Sequence, residues 1–153
     1  MSKIAPPFRA DHVGSLLRTP AIHAARADFR AGRLDAAGLR DVEDREIAAM
    51  IPQLADTGIR AITDGEFLRE WFHLDFLQQL GGITIEGMIA ATSDSEETVH
   101  QAPPRITVTG KLTHDHPIQV ADYEFVAGHT PDGCTPKVAI PSPTMAHFRG
   151  GRA

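Results

Sequence analysis

Two rhythms of apolar and polar positions alternate along the chain. Leu39, Val42, Ile47, Met50, Ile51 and Leu54 recur at steps of three to five and mark one apolar face at helical spacing. Asp35 stands where an N-cap is needed, because its carboxylate can accept from the free N–H groups of a first turn. Pro52 lies inside the stripe and predicts a kink or a break there. The Ala- and Arg-rich run from Ala21 to Arg33 predicts an earlier helix. "REWFHLDFLQQLGG", Arg69 to Gly82, predicts one closed by its two glycines, and "PIQVADYEFVAGH" a short one.

Short apolar runs that end in small or polar residues mark the strands. They are His12–Leu16, Ile59–Thr63, "ITVTGKL" and "KVAIP". Before the third, "ITIEGMIAATSDSEETVHQAPPR" alternates like a strand, breaks at the acidic stretch Asp94–Glu97 and resumes after Pro103 and Pro104. Residues 83–104 therefore read as an inserted hairpin excursion within a single domain of residues 1–153, and "TPDGCTP" reads as a turn. Strands alternating with helices at this spacing indicate βαβ units, hence an α/β fold with a parallel sheet.

Composition changes this picture little. With 153 residues, 42% of them hydrophobic and 23% charged, the chain can bury a real core. Lys and Arg total 15 against 20 Asp and Glu, a formal net charge of -5, with no basic cluster of the kind nucleic acids require. Cys134 is the single cysteine, which excludes an intrachain disulfide and a multi-cysteine metal site. "MSKIAPPFRADHVG" lacks the apolar core of a signal peptide, and no apolar stretch approaches a membrane span. These features predict a soluble, cytoplasmic protein that binds neither nucleic acid nor membrane.

Candidate chemistry gathers at the strand ends, where β/α folds place their working residues. "HVGS" puts Gly14 and Ser15 where backbone N–H groups and a hydroxyl suit a carboxylate; a plain tight turn is the other reading. "AITDGEF" runs an apolar strand into Asp64, Gly65 and Glu66. Asp64 or Glu66 could accept from a ligand's ammonium group, or Asp64 could cap a helix with Glu66 at its positive end. Arg69 pairs with a nearby carboxylate, and Trp71 and Phe72 are expected in the core. Thr109 and Lys111 suit a solvated strand end. "IPSPTM" aims Ser142 and Thr144 between prolines, or is an ordinary Pro-rich turn. His114 and His116 around Asp115 could bind a metal, but a solvated turn is the plainer reading, and Cys134 has no partner motif.

Taken in order, "RADHVGSLLR", Glu43–Asp44, "TDGEFLREWFHLDF", "PPRITVTGKL" and "KVAIPSPTMAHFRGGR" resemble the cobalamin-independent methionine synthase family, in particular single-barrel relatives of its catalytic C-terminal domain. The resemblance runs from about Phe8 to Arg152. It implies a partial (βα)8 TIM barrel of about four βα units, the N-terminal half of a fold that takes roughly 250 residues. It also implies zinc-dependent methyl transfer from methyltetrahydrofolate to the thiol of homocysteine. On this resemblance Gly14 and Ser15 hold the amino-acid substrate, Glu66 accepts from its amino group, and Ser142 and Thr144 line the pocket.

The family's zinc is held by an HxC pair, a Glu and a second Cys on later strands, and Cys134 lies in none of those motifs. The expectation is a fragment without the zinc ligands and without activity alone. It would be an N-terminal piece, a truncated product, or one half of a split barrel that hides its strand edges in a homo-oligomer or against a second half-barrel chain. Two other functions fit the same residues: alkyl transfer to another small thiol in the same fold, and a non-catalytic α/β binding or assembly module.

Overall fold

A computed structural model describes residues 10–86 and 105–148. Most of the excursion, residues 87–104, therefore lies outside the described residues, as do the lead-in before Ala10 and the last five positions. The chain divides into two compact units, residues 1–72 with 118–139, and residues 73–117 with 140–153.

In the first unit, α1 (Pro20–Arg30) starts with Thr19 as N-cap and a proline in its first turn, where a missing N–H costs nothing. The α2 helix (Ala36–Asp56) is capped as expected, with Asp35 Oδ1 accepting from Gly38 N at 2.8 Å. It continues unbroken through Pro52. Strand β1 is only Ala61–Ile62, shorter than the predicted Ile59–Thr63. The apolar stripe of α2 buries Ile47, Ile51 and Leu54 against Ile22, Ile62, Phe67 and Val126, which form this unit's core.

The second unit begins with a short helix α3 (Leu74–Leu77), followed by strand β2 (Gly81–Glu86) and strand β3 (Arg105–Thr113). The first unit's remaining elements are α4 (Val120–His129) and β4 (Thr135–Pro136), and α5 (Met145–Phe148) completes the second. Leu74, Leu77 and Ile106 make a small separate core there, with Phe76, Ile83, Ile85 and Met145 packed on it.

β1 and β4 pair in parallel, and Thr135 N and Lys137 N donate to Arg60 O and Ile62 O, each at 2.7 Å. A parallel pair separated by this much chain is the α/β feature that the sequence predicts. Several expected elements differ. The His12–Leu16 stretch forms no strand: Gly14 has φ +93°, which interrupts the extended run. "ITVTGKL", expected as a third parallel strand, instead pairs antiparallel with β2 as an arm of the hairpin. "KVAIP" adds one ladder bond through Lys137 and otherwise lies outside any strand.

The helix predicted over Arg69–Gly82 shrinks to four residues because its glycines serve β2. A Cβ on Gly82 would lie 2.6 Å from Lys111 O, and its φ is +79°, so only glycine fits this close strand approach beside the register shift. Trp71 and Phe72, expected in the core, are 43% and 46% exposed, since the turns around them bury no periodic face. No helix of the described residues is long and apolar enough to cross a membrane.

Candidate functional site

Past the end of β1, Thr63, Asp64, Gly65, Glu66 and Phe67 are all buried, yet none belongs to a regular element. Their backbone groups must find partners individually. Phe67 N donates to Asp64 O at 3.2 Å, reversing the chain. The two central residues, Gly65 and Glu66, have φ of +65° and +58°, the pattern of a type I′ turn. Asp64 Oδ1 accepts from Glu66 N at 3.1 Å and Thr63 Oγ1 from Gly65 N at 3.0 Å, so both side chains shape the turn. No helix starts here, and Asp64 is not a helix cap.

A left-handed glutamate costs on the order of 1 kcal/mol and persists only where its surroundings enforce it. The enforcement comes from arginines. Arg18 Nη2 donates to Glu66 O at 3.1 Å and to Arg69 O at 2.5 Å. Arg26 donates from Nη2 to Phe67 O at 2.5 Å and from Nη1 to Arg69 O at 3.1 Å. Arg26 is itself fixed by Glu43, whose Oε1 accepts from Nε at 3.1 Å and Nη2 at 2.8 Å. Both members of that pair are almost fully buried. Burial pushes the Glu43 carboxyl above its usual range, and Arg26 only partly offsets this.

The Glu66 carboxylate itself keeps one charged neighbour at longer range, Arg69 Nη1 at 3.8 Å from Oε1. Arg69 spends its other donors elsewhere, on Ala139 O at 2.6 Å and on the Gln119 amide oxygen at 3.0 and 3.2 Å. Arg69 thus pairs with a carboxylate one turn away, as its spacing suggests. Next door, Arg40 links Asp44 at 2.8 Å and Asp122 at 2.6 Å, tying α2 to α4. Burial works against the Arg40 charge, but these two carboxylates outweigh it and raise its pKa.

The segment before α1 joins the same end of the sheet. Leu16 N donates to Gly65 O at 3.0 Å, and His12 Nδ1 lies 3.3 Å from Thr63 Oγ1. Lys137, just past β4, donates from Nζ to Asp11 Oδ1 and to His12 O, both at 2.6 Å. That hydrogen bond from Lys137 holds the Asp11 carboxyl below its ordinary value. Gly14 and Ser15 lie in this segment. Ser15 is exposed, and its hydroxyl donates to Leu16 O at 2.9 Å.

Of the expected site residues, Gly14, Ser15, Asp64 and Glu66 therefore belong to the first unit, where one backbone bond links their two segments. Ser142 and Thr144 belong to the second. They are exposed, with their hydroxyls 2.9 Å apart in the turn that starts α5. His12, Arg18, Arg26 and Lys137 were not picked out in the sequence. His12 and Arg18 lie in "RADHVGSLLR", Lys137 in "KVAIP" and Arg26 in the first helix, but the groups that they hold at this site lie more than 40 residues away.

His114 and His116 flank Asp115 in an exposed turn, where Asp115 Oδ2 accepts from Thr113 Oγ1 at 2.8 Å. Arg60 Nη1 donates to Cys134 Sγ at 3.9 Å. Among the described residues, no three His, Cys, Asp or Glu side chains converge as a metal-binding group. The zinc that the family resemblance implies does not fit the described residues.

A parallel strand pair that ends in a buried, acid-bearing turn defines a strand-end site of the α/β class. Comparison with known proteins narrows this. No family model matches the chain. It is 41% identical over 145 residues to YxjH of Bacillus subtilis, an uncharacterized protein, with 93% of this chain and 37% of that one aligned. It is 32% identical over 117 residues to a 5-methyltetrahydropteroyltriglutamate–homocysteine methyltransferase of Streptomyces coelicolor, covering 75% of this chain and 14% of the relative. A crystal structure assigned as a vitamin-B12-independent methionine synthase from Listeria monocytogenes superposes with a TM-score of 0.75 at 34% identity, covering 94% of this chain and 39% of that one. The chain spans less than two fifths of the length of these relatives. Its relatives thus include cobalamin-independent methionine synthases, and the chain is similar to part of those longer proteins.

Proposed function

We propose that the chain is the N-terminal part of a methionine-synthase-like β/α barrel and carries the amino-acid half of a thiol-methylation site. In this reading Glu66 accepts the ammonium group of homocysteine or a similar thiol amino acid. Gly14 and Ser15 receive its carboxylate, and Asp64 shapes the turn that presents Glu66. The methyl donor is a methyltetrahydrofolate, and the zinc that activates the thiol is held by ligands outside this chain, so methyl transfer needs the remaining barrel. The parallel β1–β4 pair supports the barrel reading, with the 12–16 segment and residues 137–139 as neighbouring barrel positions.

The observation that carries the proposal is the buried Glu66 carboxylate, held in a left-handed turn at the end of β1. A buried charge is costly unless it is compensated; the Arg69 partner of Glu66 stands 3.8 Å away, and a ligand ammonium would add a closer one. Calorimetric titration of the chain with L-homocysteine, and with a thiol that lacks the amino acid moiety such as mercaptoethanesulfonate, tests this. Binding of homocysteine alone, lost in Glu66→Gln, is expected. Preference for the simple thiol would replace the amino-acid reading with alkyl transfer to another acceptor, and binding of neither would remove the substrate assignment.

A further inference from the structure

We infer that Arg18 and Arg26 are positioning residues for the Glu66 carboxylate, acting through the backbone of the turn rather than through its side chain. The inference rests on Glu66 being the ammonium acceptor. Three carbonyls, those of Glu66, Phe67 and Arg69, point into a buried region with no strand or helix to receive them in full. Each accepts from a guanidinium: Arg18 takes Glu66 O and Arg69 O, while Arg26 takes Phe67 O and Arg69 O. A planar guanidinium offers five donors in a fixed fork, so two arginines can hold three carbonyls of one turn in one geometry. A lysine offers a single mobile donor centre and cannot reproduce the fork.

The clamp is anchored from outside the turn. Glu43 of α2 accepts two hydrogen bonds from Arg26 on one oxygen, which fixes the guanidinium plane before it reaches the turn. A buried ion pair of this kind is a weak source of stability, because desolvation offsets most of its attraction. What it supplies here is direction. The held turn contains the left-handed Glu66, a conformation that relaxes if its carbonyls are freed to rotate. Relaxation would swing the carboxylate away from the end of β1 while leaving the Ile47 and Ile51 core in place.

The test compares the full chain with Arg26→Lys and Arg18→Lys, which keep the positive charge and so avoid stranding Glu43. Amide hydrogen exchange is followed at Phe67 and Arg69, whose N–H groups close the turn, with Ile47 and Ile51 in α2 as the internal reference. About tenfold faster exchange at the turn, with the reference amides unchanged, is expected for either variant. Affinity for L-homocysteine should fall about tenfold, while N-acetyl-homocysteine, which lacks the ammonium group, binds the variants and the parent equally weakly.

Turn amides as protected as in the parent, or loosening shared equally by α2, would overturn the positioning role. If Arg26→Lys does not fold, Arg18→Lys decides alone. If the parent chain binds no homocysteine, the ammonium assignment fails, and the exchange measurement still decides whether the arginines hold the turn.

Discussion

Gln119 and Arg69 meet across 50 residues of sequence: the Gln119 amide oxygen accepts from Arg69 Nε at 3.0 Å and Nη2 at 3.2 Å. Gln119 precedes α4 with φ +61°, and among the described residues it and Glu66 are the non-glycines at positive φ. Both flank the same arginine. Gln119→Ala removes two acceptor contacts from a buried guanidinium and keeps the backbone strain, so it should cost about 1–3 kcal/mol. Gln119→Gly loses the same contacts but relieves about 1 kcal/mol of that strain. Urea midpoints should therefore rank glycine above alanine at this position. The reverse order would mean that the left-handed backbone is not a real cost here.

Glu66 should show the opposing demands of stability and binding. Asparagine tolerates positive φ better than glutamate and carries no buried charge. Glu66→Asn should leave thermal stability unchanged or raise it by up to about 1 kcal/mol, while homocysteine affinity drops at least tenfold. Calorimetry and a melting curve on one preparation check both. Equal losses of stability and affinity would make Glu66 a structural residue.

How much of this was legible follows from the range of the interactions involved. The α2 helix was readable because its stripe and its Asp35 cap are local, and the structure keeps both. The 64–66 turn announced itself by a glycine between two carboxylates after an apolar run. The clamp on it did not, because Arg18 and Arg26 reach carbonyls 41–51 residues away, and nothing local marks a guanidinium for a distant backbone. "ITVTGKL" misled for another reason: its alternation is the same in a parallel strand and in a hairpin arm, and only the partner decides. The 69–82 stretch has helix-forming residues, but close strand approach at Gly82 outweighs that propensity.

Core truncation tests whether the first unit owns its stability. Ile47 and Ile51 are fully buried between Ile22, Ile62 and Phe67. Ile47→Val should cost about 1 kcal/mol and Ile47→Ala about 2–5 kcal/mol, read from urea unfolding. Tryptophan fluorescence from Trp71 and far-UV dichroism should shift together if the unit unfolds cooperatively. A negligible loss in Ile47→Ala would mean that the α2 stripe is not packed as described.

Two carboxyls give stability opposite dependences on pH. Asp11 accepts from Lys137, which lowers its pKa below 3.8, so its contribution is present above that value and is lost as pH falls through the lowered pKa. Its exposure to solvent keeps that contribution small. Glu43 is raised above 4.5 by burial, so folding favours its protonated form. Its stabilising effect is full below 4.5 and is lost as pH rises through the raised value. Unfolding free energies measured from pH 3 to 7 should therefore decline across the upper part of that window in the parent chain. Glu43→Gln should flatten the decline, because a neutral amide does not titrate, and it should leave the acid-side loss from Asp11 untouched. Lys137→Met should do the converse, removing the acid-side step and sparing the other. A parent profile that rises from pH 4.5 upward, and flattens when Glu43 is replaced by Gln, would show that the Arg26 ion pair outweighs the burial of Glu43.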